Sequence, residues 1–325
     1  AARGEKYGIP DAFYEGRRYP AGKRCAVLRS NEKKLKNFCI KVEFFEFLLY
    51  DRKRMKNKVG IYTNHAKDVG GIWSKKLARL LKEAGYEVCP VEENAHPEGI
   101  SVLFVLGGDG TILGQTEYAS ENEIPIIGIN AGKLGFLTEF ETFEMEAAVS
   151  SYAAGTLKKD CRMILKVECG DAVRYVLNDA VIQRFYAQEE SSIVVNVEAA
   201  IDGILVDKVN GDGVIVSTPT GSTAYSMSAG GPVLDPCIRC IVATPICPHT
   251  IGQRPVVFGC SAVLELRNMK CRGSNIYLTV DGNEVISLTE NDTVRISLSE
   301  HSARLVRVKN STFLKVLHEK MSEKS

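Results

Sequence analysis

From residue 59 onward the apolar and polar positions fall into two rhythms. Val59-Gly-Ile-Tyr-Thr63 is a short apolar run that predicts a buried strand. Trp73, Leu77, Leu80, Leu81 and Ala84 then recur at i, i+4, i+7, i+8 and i+11, with Gly85 as a stop, which predicts an amphipathic helix with Trp73 on its core stripe. The alternation continues with predicted strands at 86–91, 101–106 and 125–129 and a short helix from about Thr111. Strands that alternate with helices imply a parallel sheet under helical cover.

Past about residue 160 the texture changes to β-branched runs at 163–168, 173–177, 191–199, 213–217, 256–266, 276–280 and 293–298. Many short strands in series predict an antiparallel β domain. From about Thr312 helical spacing returns through Phe313, Leu314 and Leu317, and this tail is expected to pack back on the first domain. The expected fold is an α/β N-terminal domain with a parallel sheet plus an antiparallel all-β C-terminal domain. The expected division is a leader at 1–57, the α/β domain at 58–158, the β-rich domain at 159–300 and the returning tail at 301–325.

Composition narrows the classes. With 325 residues, 45% hydrophobic and 25% charged, the chain supports a sizeable core and is no coiled coil, collagen or disordered tail. Lys plus Arg number 41 against 40 Asp plus Glu, so no global field draws the chain to nucleic acid or membrane. The longest strongly apolar stretch, 44–50, is broken by Glu46 and falls far short of the roughly 20 residues of a membrane helix. Ten scattered cysteines without a secretory signal pattern read as reduced thiols, which places the protein in the cytoplasm. The charge is uneven, because residues 1–58 hold 16 Lys or Arg against 7 Asp or Glu. Three readings compete for this basic leader: a real extension, a targeting peptide, or residues upstream of a natural start at Met55. The expectation is that it is loosely docked or disordered and carries no function.

The sharpest local feature is Gly107-Gly-Asp-Gly-Thr111, between a buried strand and a helix. Glycines there permit positive φ and remove side chains, so a polyphosphate can approach backbone N–H groups and the positive end of the helix. An aspartate is odd in such a turn, since a carboxylate repels phosphate unless it binds a cation or takes a proton from an attacking hydroxyl. Asp109 is thus a candidate base, against the simpler reading of a tight turn with a capping Asp. The second feature is the block from Gly211 to Pro232, where a strand runs into Ser217-Thr-Pro-Thr-Gly-Ser-Thr-Ala-Tyr225. Many short hydroxyls with little bulk and almost no charge suit an extended polar ligand such as a nucleotide.

With Leu177-Asn-Asp179, Asn130-Ala-Gly-Lys-Leu-Gly-Phe-Leu-Thr138 and Thr244-Pro-Ile-Cys-Pro-His249 added, residues 58–320 resemble the NAD kinase family. The Gly-Gly-Asp-Gly turn is shared with diacylglycerol and sphingosine kinases, whereas the 217–225 block is specific to NAD kinases. The resemblance implies transfer of the ATP γ-phosphoryl to the 2′-hydroxyl of the adenosine ribose of NAD, with Mg²⁺ or another divalent cation. It implies Asp109 as base and Gly107, Gly108 and Gly110 as the phosphate cradle. Asn178 and Asp179 match the pair that holds NAD, Phe136 packs against a base, and Asn130 and Asn283 join the nucleotide site. Asp212, Thr220, Thr223, Ala224, Tyr225, Ser226, Met227 and Ser228 match the dinucleotide-binding block. Asn210 stands where many bacterial members have Arg or Lys, and Asp281-Gly-Asn283 fits the late Asp-Gly element loosely. NAD against NADH and ATP against polyphosphate stay open. The resemblance further implies a homo-oligomer, a dimer or tetramer built through the β domain. Two other classes stay in view: a lipid kinase sharing the glycine turn, and a non-catalytic dinucleotide sensor.

Other residues invite chemistry without requiring it. Cys237 and Cys240, with Cys247 and His249 downstream, suit zinc or redox chemistry, but no second close pair completes the set, so they read as structural. Lys133 reads as an exposed loop lysine.

Overall fold

In the computed structural model of this chain, residues 58–93, 95–132, 135–184, 194–269, 276–309 and 313–322 are described, and the following concerns those residues. The leader, Lys133 and Asn94 lie outside them. The first rhythm of the sequence folds as β1 (Lys58–Thr63), α1 (Ile72–Glu83), β2 (Glu87–Val91), β3 (Leu103–Gly107), α2 (Asp109–Glu121) and β4 (Ile126–Asn130). All four strands pair in parallel, in the order β2-β1-β3-β4. β3 and β4 are buried at every position, which explains why they read as apolar runs rather than as alternating ones. Leu77 and Leu81 bring the apolar stripe of α1 onto this sheet, with Trp73 packed at the edge of the same cluster. A further helix, α3 (Met145–Ala153), also covers the cluster through Met145, Ala148 and Val149.

The second half of the chain supplies β5 (Phe140–Glu141), β6 (Lys158–Cys169), β7 (Ala172–Val176), β8 (Asp179–Arg184), β9 (Val195–Ile201), β10 (Ile204–Gly211), β11 (Gly213–Ser217), β12 (Cys240–Ile246), β13 (Val256–Gly259), β14 (Leu264–Asn268), β15 (Ile276–Val280), β16 (Glu284–Leu288) and β17 (Thr293–Arg307). An entirely antiparallel sheet runs β13-β12-β11-β8-β15-β16. The other sheet is continuous from the parallel part into an antiparallel part, in the order β10-β9-β14-β17-β4-β3-β1-β2. β17 is the seam. Leu305 pairs in parallel with Ile126 of β4, while the strand pairs antiparallel with β6 from Val294 to Arg307. Residues 301–307, expected in the returning tail, are therefore still sheet.

One expectation is corrected. The run 256–266 is two strands in different sheets, broken by a turn in which the Ala262 N–H donates to the Gly259 carbonyl at 3.1 Å. The chain bends there because Gly259-Cys260-Ser261 interrupts the β-branched pattern. The helix at 145–153 has no counterpart in the sequence reading, because an Ala- and Ser-rich stretch gives a weak pattern, yet Met145, Ala148, Val149 and Tyr152 keep a helical spacing. The tail forms α4 (Phe313–Ser322).

Candidate active site

Parallel strands present their carboxyl ends together, and in such sheets polar ligands bind there. Pairing sets Thr63 beside Leu106 and Gly107 beside Asn130, so the ends of β1, β3 and β4 meet at one edge. The hydroxyl of Thr111 ties them, accepting the Gly108 N–H and the Asn64 side-chain amide, both at 3.2 Å. Gly108 caps α2 with extended φ and ψ of −129° and −168°. None of Gly107, Gly108 and Gly110 takes a positive φ, so left-handed backbone is not what the turn needs. Space is needed at Gly107, where a Cβ would collide with the Thr111 side chain; a Cβ on Gly110 would meet nothing within 4 Å, and one on Gly108 only the far end of Lys67, at 2.6 Å from its ammonium. That ammonium also sits 3.4 Å from where a Cβ on Gly132 would be. Lys67 is exposed and holds its charge over the glycine turn.

Asp109 is the first residue of α2, with its carboxylate turned away from the helix cap. Oδ2 accepts the Phe136 N–H at 2.7 Å and Oδ1 the Leu137 N–H at 3.0 Å. The fit is close enough that a Cβ on Gly135 would collide with the carboxylate, which is the reason for glycine there. Each carboxylate oxygen retains a lone pair for a further donor. Lys320 Nζ, from α4, lies 3.5 Å from Oδ2 and 3.9 Å from the centroid of the Phe136 ring. Asn130 is buried at the end of β4. Its Nδ2 donates to Gly132 O and to the Glu141 carboxylate at 3.1 Å, and its Oδ1 has no partner among the described residues.

A second cluster forms where β8 leaves the loop at 177–178. The Asp281 carboxylate, in the turn after β15, accepts the N–H groups of Leu177, Asn178 and Asp179 at 2.8, 2.8 and 3.0 Å. Asp281 therefore fixes the Asn178-Asp179 pair. Thr218 joins the same corner, its hydroxyl donating to Leu177 O at 2.5 Å and accepting the Gly221 N–H at 3.1 Å. Asp179 is 6% exposed. Burial, with the neighbouring Asp281 charge, pushes its carboxyl up to about 7. Burial also raises Asp281, to about 6, against the pull of its three backbone donors.

Beside the first cluster, at Gly135 and Phe136, lies a cavity of about 640 Å³ with Arg162, Arg307 and Lys309 among its walls and Phe313 and Val316 of α4 on one side. Arg162 pairs with Asp160 at 2.6 Å and donates to the Thr220 hydroxyl at 3.2 Å. Arg307 bonds Asp160, Glu139 and the Phe136 carbonyl. A rigid ionic frame thus runs from the Asp109 side, through Phe136, to the hydroxyl block.

The structure distributes the remaining residues of that block unevenly. Tyr225 and Ser228 are exposed, and Thr223, Ala224 and Met227 are half-buried beside them. Ser226 is turned inward, fully buried with its hydroxyl 2.9 Å from that of Thr244, so it corrects the expectation of a ligand contact. Asn283 is exposed in its turn, and the residue that matters in Asp281-Gly-Asn283 is Asp281. Asn210 ends β10 with its carbonyl accepting the His249 N–H, and His249 has this structural contact. Asp212 pairs with Arg184 at 2.6 Å, so a cation stands beside it despite the asparagine at 210. Cys237 is exposed, whereas Cys240 is buried in β12. Among the described residues no group of three His, Cys, Asp or Glu is placed to hold a metal.

Sequence reasoning missed Lys67, Arg162, Arg307 and Lys320. Lys67 had a signal, since it follows a parallel strand at the edge where ligands bind. The others come from remote elements, and no local spacing marks them.

Comparison with known proteins gives one consistent picture. Residues 27–157 match the family described as ATP-NAD kinase N-terminal domain, and residues 178–308 the family described as ATP-NAD kinase C-terminal domain. The first match begins inside the stretch expected to be a leader. The NAD kinase of Caldicellulosiruptor bescii is 33% identical over 267 residues, covering 82% of this chain and 100% of that protein. That of Geobacter metallireducens is 38% identical over 250 residues, 75% of this chain and 85% of the relative. An NAD kinase from Archaeoglobus fulgidus, solved in complex with ATP, superposes with a TM-score of 0.62 at 26% identity, over 82% of this chain and 98% of that one. Yeast NADH kinase, complexed with NADH, shares the fold with a TM-score of 0.74 at 23% identity, over 82% and 88%.

Proposed function

The chain belongs to the NAD kinase family and phosphorylates NAD, and on that premise we propose that the Asp109 turn is where the γ-phosphoryl of ATP meets the 2′-hydroxyl of the adenosine ribose. The observation that carries this reading is the Asp109 carboxylate, oriented by two backbone N–H groups beside a glycine turn and the exposed Lys67. The ribose oxygen forms the new bond to phosphorus as the bond to the ADP oxygen breaks, and the hydroxyl proton passes to Asp109. Family membership replaces the lipid-kinase reading, and the polar block at 217–228 agrees with that.

Acceptor and donor divide between the clusters. Asn178 and Asp179 are suited to a pair of ribose hydroxyls, Thr220, Thr223 and Ser228 offer hydroxyls along the dinucleotide, and Tyr225 offers a face for a base, whereas the Phe136 ring is met by the Lys320 ammonium and by Phe313. Ordinary substrate positioning follows from the Asp281 anchor. Lys67 serves the donor, its ammonium placed where a triphosphate would lie against the Gly107–Gly110 amides. Replacing Lys67 by Met is expected to raise the KM for ATP about tenfold while that for NAD changes less than about twofold. Equal shifts in both would remove Lys67 from the donor side. Replacing Tyr225 by Ala should do the opposite, raising the KM for NAD by about tenfold and leaving ATP nearly unchanged. Steady-state kinetics with each substrate varied in turn measures both.

Mg²⁺ belongs to the proposal, and the residues fit an ion that arrives on the donor's phosphates, since Mg²⁺ commonly takes few protein ligands beside phosphate oxygens and water. Asn130 Oδ1, buried and without a partner among the described residues, is the hard oxygen offered there. Bound Mg²⁺ would neutralise phosphate charge. Cytoplasmic residence is also proposed. No helix among the described residues is long and apolar enough to cross a membrane. The exposed apolar positions of the two sheet edges, Leu205 and Val206 on β10 and Val256 and Val257 on β13, support assembly into a dimer or tetramer.

An assay of the purified chain with ATP, Mg²⁺ and NAD, reading NADP enzymatically, tests the assignment. NADH and polyphosphate run as parallel substrates decide the acceptor and the donor.

A further inference from the structure

An aspartate in a phosphate-binding turn carries a physical contradiction. Its charge repels the donor whose phosphoryl it helps to move, and at close range in a partly shielded site that repulsion is worth a large factor in affinity. A cation beside it removes the contradiction, and the structure has one. Lys320 Nζ stands 3.5 Å from Asp109 Oδ2, and both side chains are partly shielded, at 21% and 29% exposure.

Two further contacts show that the ammonium does not depend on Asp109 for its place. It lies 3.9 Å from the centroid of the Phe136 ring, a position that a cation favours over an aromatic face. The helix that carries it is seated by Phe313 against the same ring, with centroids 6.3 Å apart. Phe136 thus holds the carboxylate through its N–H and the ammonium through its ring. We propose that Lys320 of the C-terminal helix is a donor-binding residue of the catalytic centre, whose charge offsets that of Asp109 so that an ATP γ-phosphate can be bound next to a carboxylate. The inference rests on the reading of the Asp109 turn as the phosphoryl-transfer site.

The charges then act oppositely and nearly independently on the donor. The test is the affinity of the full-length chain for a non-hydrolysable β,γ-imido analogue of ATP with Mg²⁺, by titration calorimetry, in the unmodified protein and five variants. Lys320→Met is expected to weaken binding about tenfold. Asp109→Asn, which removes repulsion, is expected to tighten it severalfold, and the double variant should return to within about threefold of the unmodified chain. Lys320→Arg should bind as the unmodified chain does. NAD affinity, measured without nucleotide, should move less than about twofold in every Lys320 variant, a control that a misfolded helix would fail. The proposal is overturned if Lys320→Met and Lys320→Gln bind the analogue as well as the unmodified chain. It is also overturned if they lose NAD and the analogue equally, which would make Lys320 a structural residue. Failure of the base assignment is a different result: Asp109→Asn would keep its turnover, while the opposed shifts in analogue affinity stood.

Discussion

Replacing Asp109 by Asn is expected to lower kcat by at least about 10²-fold while NAD still binds. Asparagine preserves size and one acceptor, so one of the Phe136 and Leu137 N–H groups keeps its partner while the other meets the amide NH2 and the turn at 135–137 loses one hydrogen bond. It removes the group proposed to take the ribose proton. The carboxylate is placed for that task by contacts that leave lone pairs open, and a sugar hydroxyl is a poor nucleophile unless its proton has somewhere to go. Single-turnover kinetics with saturating NAD separates chemistry from product release. A rate near that of the unmodified chain would show that Asp109 is held for its shape alone. Loss of NAD binding with loss of rate would instead show that the variant disturbs the fold around Gly135.

The turn containing Asp109 was legible because its chemistry is local: glycines, an acid, and a strand and helix on either side lie within a few residues. The hydroxyl block at 217–228 was legible for the same reason, although Ser226 shows the limit of composition, since a serine in a polar block can be turned to the core by a partner such as Thr244. What escaped was whatever depends on contact between distant parts. Lys320 and Asp109 lie far apart in the sequence, and Asp281 reaches its three backbone donors from the end of a neighbouring strand about a hundred residues away along the chain. β17 shows the same limit at the level of fold. Its sequence reads as a short strand of the β domain, yet its second half joins the parallel sheet through Leu305 and Ile126. A 15-residue strand that changes partners partway has no signature of its own, because alternation is the same whichever neighbour supplies the hydrogen bonds.

The position that best separates function from stability is Asp179. Its carboxyl titrates at about 7 in the folded protein because burial and the Asp281 charge disfavour ionisation, against about 3.9 for an unperturbed aspartate. The folded state therefore holds more protons at this site than the unfolded state between these two values. Stability must fall as pH rises through that window, and the loss is complete above about pH 7. Asp179→Asn keeps the shape without the charge, so at pH 8 the variant is expected to be more stable than the unmodified chain by about 2 kcal/mol and to melt a few degrees higher. At pH 5, where Asp179 is neutral in the folded state, the gain should largely disappear. The two carboxyls repel each other, so the variant also relieves Asp281, and that effect adds to the gain at pH 8 in the same direction. The same substitution should raise the KM for NAD by about tenfold or more, since the ribose hydroxyls lose a charged acceptor. NAD should accordingly stabilise the unmodified chain more at pH 8 than at pH 6, because ionised Asp179 is the form that accepts both hydroxyls. Thermal melts at both pH values, with and without NAD, read all of these together. An Asp179→Asn protein less stable than its parent at pH 8 would mean that the buried charge is already compensated within the fold, and Asp179 would then be an element of structure rather than a strained site waiting for its ligand.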